Sequence, residues 1–142
     1  MNNGKTIHDI SVGDTARFTK TITQADVTLF AGITGDFNPL HIDHEHAKQT
    51  RFGQPVVHGA LLAGLVSNVL GMQLPGPGAL YASQSLAFKK PVFIGDTITA
   101  EAEVVEKIEE KNRVRFATRC IDQDGEIVAS GESVLLPKKP TA

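Results

Sequence analysis

The sequence predicts an α+β domain, with one curved antiparallel sheet of five strands wrapped around a long, buried central helix. Three observations lead there. Residues 59–70 are apolar on nearly every side of a helix, and such a helix belongs inside a protein. Residues 97–104 and 113–120 alternate apolar with polar side chains, the period of a half-buried strand. Helical patterns also fill the front half of the chain and strand patterns the back half, a segregation typical of sheets covered on one face.

In chain order, 14–22 reads as a first strand and 23–33 as a helix. Thr23 can cap that helix with Asp26 in its first turn, while Val27, Phe30 and Ala31 form an apolar stripe. Gly32 and Gly35 end it. A loop follows at Asn38-Pro39, because a residue before proline is pushed out of the helical region. Asp43 then caps a short helix that runs through Ala47. In 59–70, Leu61, Leu62, Leu65, Val66, Val69 and Leu70 surround the axis; the length suits a core helix, not a membrane span. Gly71 closes it, and Pro75-Gly76-Pro77-Gly78 is a hard break. Strands at 80–88, 97–104, 113–120 and 127–136 follow. Turn-rich links at 109–112 and 122–125 make the last of these hairpins, so a four-strand antiparallel meander is expected. Such a sheet has edges. Pairing two subunits edge to edge removes one of them, and a homodimer is the expected assembly.

Length and charge narrow the function. A chain of 142 residues suits a single domain over 1–142, with a short flexible tail from about residue 137, where Pro137-Lys138-Lys139-Pro140 cannot pack well. A net charge of -2 gives no basic stripe for nucleic acid. Cys120 is the only cysteine, which excludes an intrachain disulfide and a thiolate cluster. The N-terminus is polar, with neither a signal-peptide pattern nor a membrane span, so a cytoplasmic protein is expected.

The densest polar cluster is Asp36-Phe37-Asn38-Pro39-Leu40-His41-Ile42-Asp43. A carboxylate and an imidazole five residues apart, joined through a proline-bearing loop, can turn toward one point. Adding water to an activated alkene needs such a pair, one group taking a proton from water and one delivering a proton to carbon. Asn38 can orient a side chain or the water. The same residues also suit a turn, with Asp36 and Asn38 as turn and cap residues and His41 exposed. Next, Gln54-Pro55-Val56-Val57-His58-Gly59 leads into the apolar helix. The first amides of a helix lack internal partners, and Gly59 lets a ligand come close, so this is a candidate oxyanion hole. Alternatively, Gly59 only permits a tight helix start and His58 caps or packs. His41, Asp43, His44 and His46 lack the spacing of paired helical metal ligands, and no metal is expected. Arg51, Lys89 and Lys90 are candidates for phosphate contacts, Tyr81 and Phe88 for lining an acyl tunnel, and Cys120 is read as packed.

The arrangement D-x-N-P-x-H-x-D at Asp36, Asn38 and His41 resembles the hydratase 2 motif of the MaoC-like (R)-specific enoyl-CoA hydratases. Phe52-Gly53 through Val57-His58-Gly59 resembles that family's approach to its central helix, and Phe88-Lys89-Lys90-Pro91-Val92-Phe93-Ile94-Gly95-Asp96 its strand connection. The likeness runs in order over about 22–136. It implies a hotdog fold, usually dimeric, acting on acyl-CoA thioesters. By position, Asp36 and His41 become the catalytic pair and Asn38 a supporting polar group at the substrate. The Gly59 amide becomes the donor to the thioester oxygen, and Ser67 the serine that the family keeps on its central helix. The implied reaction adds water to trans-2-enoyl-CoA to give (R)-3-hydroxyacyl-CoA, with coenzyme A part of the substrate and no metal or redox cofactor. Which of Asp36 and His41 is base and which acid stays open. A hotdog acyl-CoA thioesterase and a non-catalytic acyl-CoA-binding subunit are the rival readings.

Overall fold

The computed structural model describes residues 3–141. Strand β1 (Thr15–Thr21) leads to helix α1 (Gln24–Thr34), two short helices α2 (Pro39–Ile42) and α3 (His44–Lys48), and the long helix α4 (Gly59–Met72). Strands β2 (Leu80–Phe88), β3 (Thr97–Ile108), β4 (Arg113–Ile121) and β5 (Ile127–Leu136) complete the chain. All neighbouring strands are antiparallel, in the order β1-β3-β4-β5-β2.

Helix α4 lies on the inner face of this sheet, packed against β1, β3 and β4. Its six large apolar side chains from Leu61 to Leu70 are all buried. They meet Ile98, Ala100, Ala102 and Val104 of β3 and Val114, Phe116 and Cys120 of β4, all at most 1% exposed. Small residues at Ala100 and Ala102 let the helix come close. The Cys120 thiol sits 3.9 Å from the Leu62 carbonyl, and burial pushes its pKa up to about 11. It is a packed thiol, as expected from its place on the apolar face. On the outer face the polar alternates of β1 and β3 pair in register: Thr19 with Thr99 at 2.8 Å, Thr21 with Thr97 at 2.7 Å, and Arg17 with Glu101 at 2.8 Å.

Sheet order is where the expectation fails. The four strands over 80–136 do not form one meander, because β2 pairs with β5 at the far edge instead of with β3. Residues 89–96 traverse the end of the sheet: Lys89 N–H donates to the Val128 carbonyl at 2.7 Å, and Gly95 N–H to the Ile22 carbonyl at 2.8 Å. Three strand spacings are about 14 Å, and eight extended residues reach about 26 Å, so this link is long enough to cross.

The helices differ in smaller ways. Gly32 lies inside α1, and Gly35 alone caps it, with φ 81° in the left-handed region where glycine costs least. Gly71 lies inside α4, which runs on to Met72. The expected loop ends at Asn38, whose ψ of 124° is extended as the following proline requires, and Pro39 opens the helical turn α2 at its first position, where a missing N–H costs nothing. In the expected tail, the Pro137 carbonyl accepts from Asn112 Nδ2 at 2.8 Å and Lys138 Nζ donates to the Asn3 carbonyl.

Candidate active site

Two segments, 22 residues apart in sequence, build the site. The first is the turn from Asp36 into α2. Asn38 N–H donates to Asp36 Oδ1 at 3.3 Å, and Leu40 N–H to Asn38 Oδ1 at 3.1 Å, so Asn38 caps the helix that carries His41. The capping role expected of it is real. It uses the side-chain oxygen.

The second is the strand-like approach to α4. Val56 N–H donates to the Leu40 carbonyl at 3.1 Å, and Val57 N–H to the Val92 carbonyl at 2.7 Å. This segment is thus stitched between α2 and the 89–96 crossing. The Val56 carbonyl also holds His41 through Nδ1. A carbonyl only accepts, so His41 Nδ1 carries the proton, and neutral His41 presents a bare Nε2.

His58, which the sequence reading gave only a capping or packing part, lies at the centre. It is 1% exposed and precedes α4 without using its side chain as a cap. Its Nε2–H donates to the backbone carbonyl of Asp36 at 3.0 Å. Its ring stacks on His41, with centroids 4.0 Å apart and planes at 29°, and Phe30 packs on it at 4.8 Å. Nδ1 of His58 is buried with no hydrogen-bond partner among the described residues, a burden of about 1–3 kcal/mol. The only hint in sequence is its position, polar within Pro55-Val56-Val57 and next to the glycine that opens an all-apolar helix.

One ligating atom each from Asp36, His41 and His58 lies within 4.8 Å of the others. Within the trio, His41 Nδ1 and His58 Nε2 are already engaged by the Val56 and Asp36 carbonyls. Of the other expected non-ligands, Asp43 caps α3 at 3.0 Å, and His44 donates to Gln24 Oε1 at 2.9 Å on the surface.

Beside His41 opens a cleft of about 510 Å³ that Gly59 also lines. Gly59 and Ala60 open α4, so their amides have no acceptor behind them within the helix. A Cβ at residue 59 would come 2.8 Å from the Phe88 ring, so glycine makes room for that ring against the start of α4. Arg51, Lys89 and Lys90 stand on the rim; Lys90 is paired with Glu126, and Arg51 lies 4.7 Å over the Phe52 ring. Phe88 lines the cleft, whereas Tyr81 does not and donates to Gln84. Ser67 is eight residues along α4 from Gly59, about 12 Å, and is not among the cleft's walls.

Residues 9–124 match the model of the MaoC like domain. The chain belongs to the MaoC-like family. Among its relatives, this MaoC-like chain is 48% identical over 126 residues to an (R)-specific enoyl-CoA hydratase of Aeromonas caviae, covering 89% of this chain and 94% of the relative. It is 47% identical over 135 residues to a 3-hydroxybutyryl-CoA dehydratase of Methylorubrum extorquens, covering 94% and 85%. An R-hydratase structure from Pseudomonas aeruginosa superposes with a TM-score of 0.92 at 39% identity, covering 96% of this chain and 88% of that one. The expected hotdog architecture, a five-stranded sheet with its central helix, is the fold of these neighbours.

Proposed function

We propose that this MaoC-like protein is an (R)-specific enoyl-CoA hydratase, a hydro-lyase that reversibly adds water to trans-2-enoyl-CoA. The convergence of Asp36 and His41, with His41 and Gly59 lining one cleft, carries the reading. A water between the two side chains gives up a proton to His41 Nε2 while Asp36 holds its second hydrogen. The water oxygen bonds to C3, the C2–C3 π electrons move toward the thioester oxygen, and C2 takes a proton back through the pair. Charge develops on that oxygen, where the Gly59 amide stabilises the transition state more than the ground state. The step is redox-neutral, so its chemistry calls for no nicotinamide or flavin.

Asn38 meets the substrate through its free amide NH2. Arg51 and Lys89 face the phosphates of coenzyme A. Val57, Leu62 and Val92 give the acyl chain an apolar wall suited to short and medium lengths. The working form is a homodimer.

The test is turnover of crotonyl-CoA with chiral analysis of the product. The expected result is (R)-3-hydroxybutyryl-CoA without release of free thiol. Thiol release from saturated acyl-CoA, with no hydration, would make the protein a thioesterase instead.

A further inference from the structure

We propose that His58 is a positioning residue that holds Asp36 and His41 in register with the Gly59 amide; this rests on the hydratase reading of the site. Three ordinary explanations for a histidine here fail on the geometry. It is not a solvated side chain, being 1% exposed. It is not a helix cap, since its side chain makes no capping bond to α4. Nor is it simple filler, because an apolar ring would pack under Phe30 without leaving Nδ1 buried and unpartnered.

What the side chain does is touch both members of the pair. Its Nε2–H fixes the backbone of Asp36 at 3.0 Å, setting where that carboxylate starts. Its face fixes the plane of His41 at 4.0 Å, while the Val56 carbonyl fixes the rotation of that ring through Nδ1. With plane and rotation both set, the bare Nε2 of His41 has one direction. His58 is also bonded directly to Gly59, so the proton-transfer pair and the carbonyl donor hang on one rigid step at the start of α4. Misplacement of about 1 Å in such an arrangement costs up to about a hundredfold in rate, which is why a buried, incompletely bonded imidazole is tolerated here.

Two substitutions separate its contacts. His58→Phe keeps a ring to stack and loses the bond to Asp36; His58→Gln places an amide N–H at the position of Nε2 and loses the stack. On crotonyl-CoA, kcat should fall about tenfold or more in His58→Phe with KM within about twofold, and His58→Gln should recover part of the loss. Long-range 1H–15N imidazole spectra of the whole protein should show His41 protonated on Nδ1 in the wild type and in His58→Phe, which keeps the ring stack and the Val56 carbonyl, and a mixture of tautomers in His58→Gln, which loses the stack. A kcat within about twofold of wild type in both variants, with the His41 tautomer unchanged, overturns the proposal. Should the wild type hydrate no enoyl thioester, the hydratase reading falls and the His41 spectra alone decide the positioning role.

Discussion

Arg51 and Lys89 form no ion pair among the described residues, whereas Lys90 on the same rim is tied to Glu126. Unpaired cations beside an active-site cleft are where phosphate oxygens gain most, because nothing must be displaced. Reversing both charges, Arg51→Glu with Lys89→Glu, should raise KM for crotonyl-CoA about tenfold or more while kcat stays near wild type. The same variant should treat the N-acetylcysteamine thioester, which has no phosphates, as the wild type does. Equal effects on both substrates would remove these residues from phosphate binding. At this scale the sequence was readable where the chemistry is local. Asp36, Asn38 and His41 share one turn, and Gly59 marks its own helix start. His58 was not readable, because its partners are 22 residues away through Asp36 and across a ring stack that no spacing rule encodes.

Secondary-structure elements were legible for the same reason, and their order in the sheet was not. The capping box of α1 lies within four residues: Asp26 N–H donates to Thr23 Oγ1 at 3.1 Å, and Thr23 N–H to Asp26 Oδ2 at 2.9 Å. Burial alone would raise the Asp26 carboxyl, but the Thr23 bonds and Lys20 at 3.1 Å outweigh it and hold it below the ordinary value. A lowered carboxyl supplies its stabilisation at neutral pH and loses it as pH falls through the acid range. Thr23→Ala should therefore cost about 1 kcal/mol in urea unfolding at pH 7. Asp26→Asn should make stability fall less steeply on acidification; an unchanged acid slope would contradict the assignment. The placement of β2 beside β5 depends instead on the 89–96 crossing, whose direction no local pattern of strands and turns specifies.

For the molecule as a whole, the sheet ends in two strand edges, β1 and β2. Strand β2 leaves Leu80 65% and Phe88 54% exposed, with Ile127 of β5 at 43%, which is costly in water for so long an edge. The proposed homodimer covers that edge. Wild type should sediment at twice the mass of the chain, and Leu80→Lys should shift it toward the monomer; a monomeric wild type would contradict the proposal. No helix among the described residues is long and apolar enough to cross a membrane.

Addition of water to an enoyl thioester by Asp36 and His41 requires that loss of either side chain slow the hydration step itself. Loss of the enoyl thioester absorbance of crotonyl-CoA would be followed in wild type, Asp36→Asn and His41→Gln. Rapid loss is expected in wild type, with at least about a hundredfold lower kcat in each variant. Near wild-type turnover in either variant, or none in the folded wild type, would contradict it.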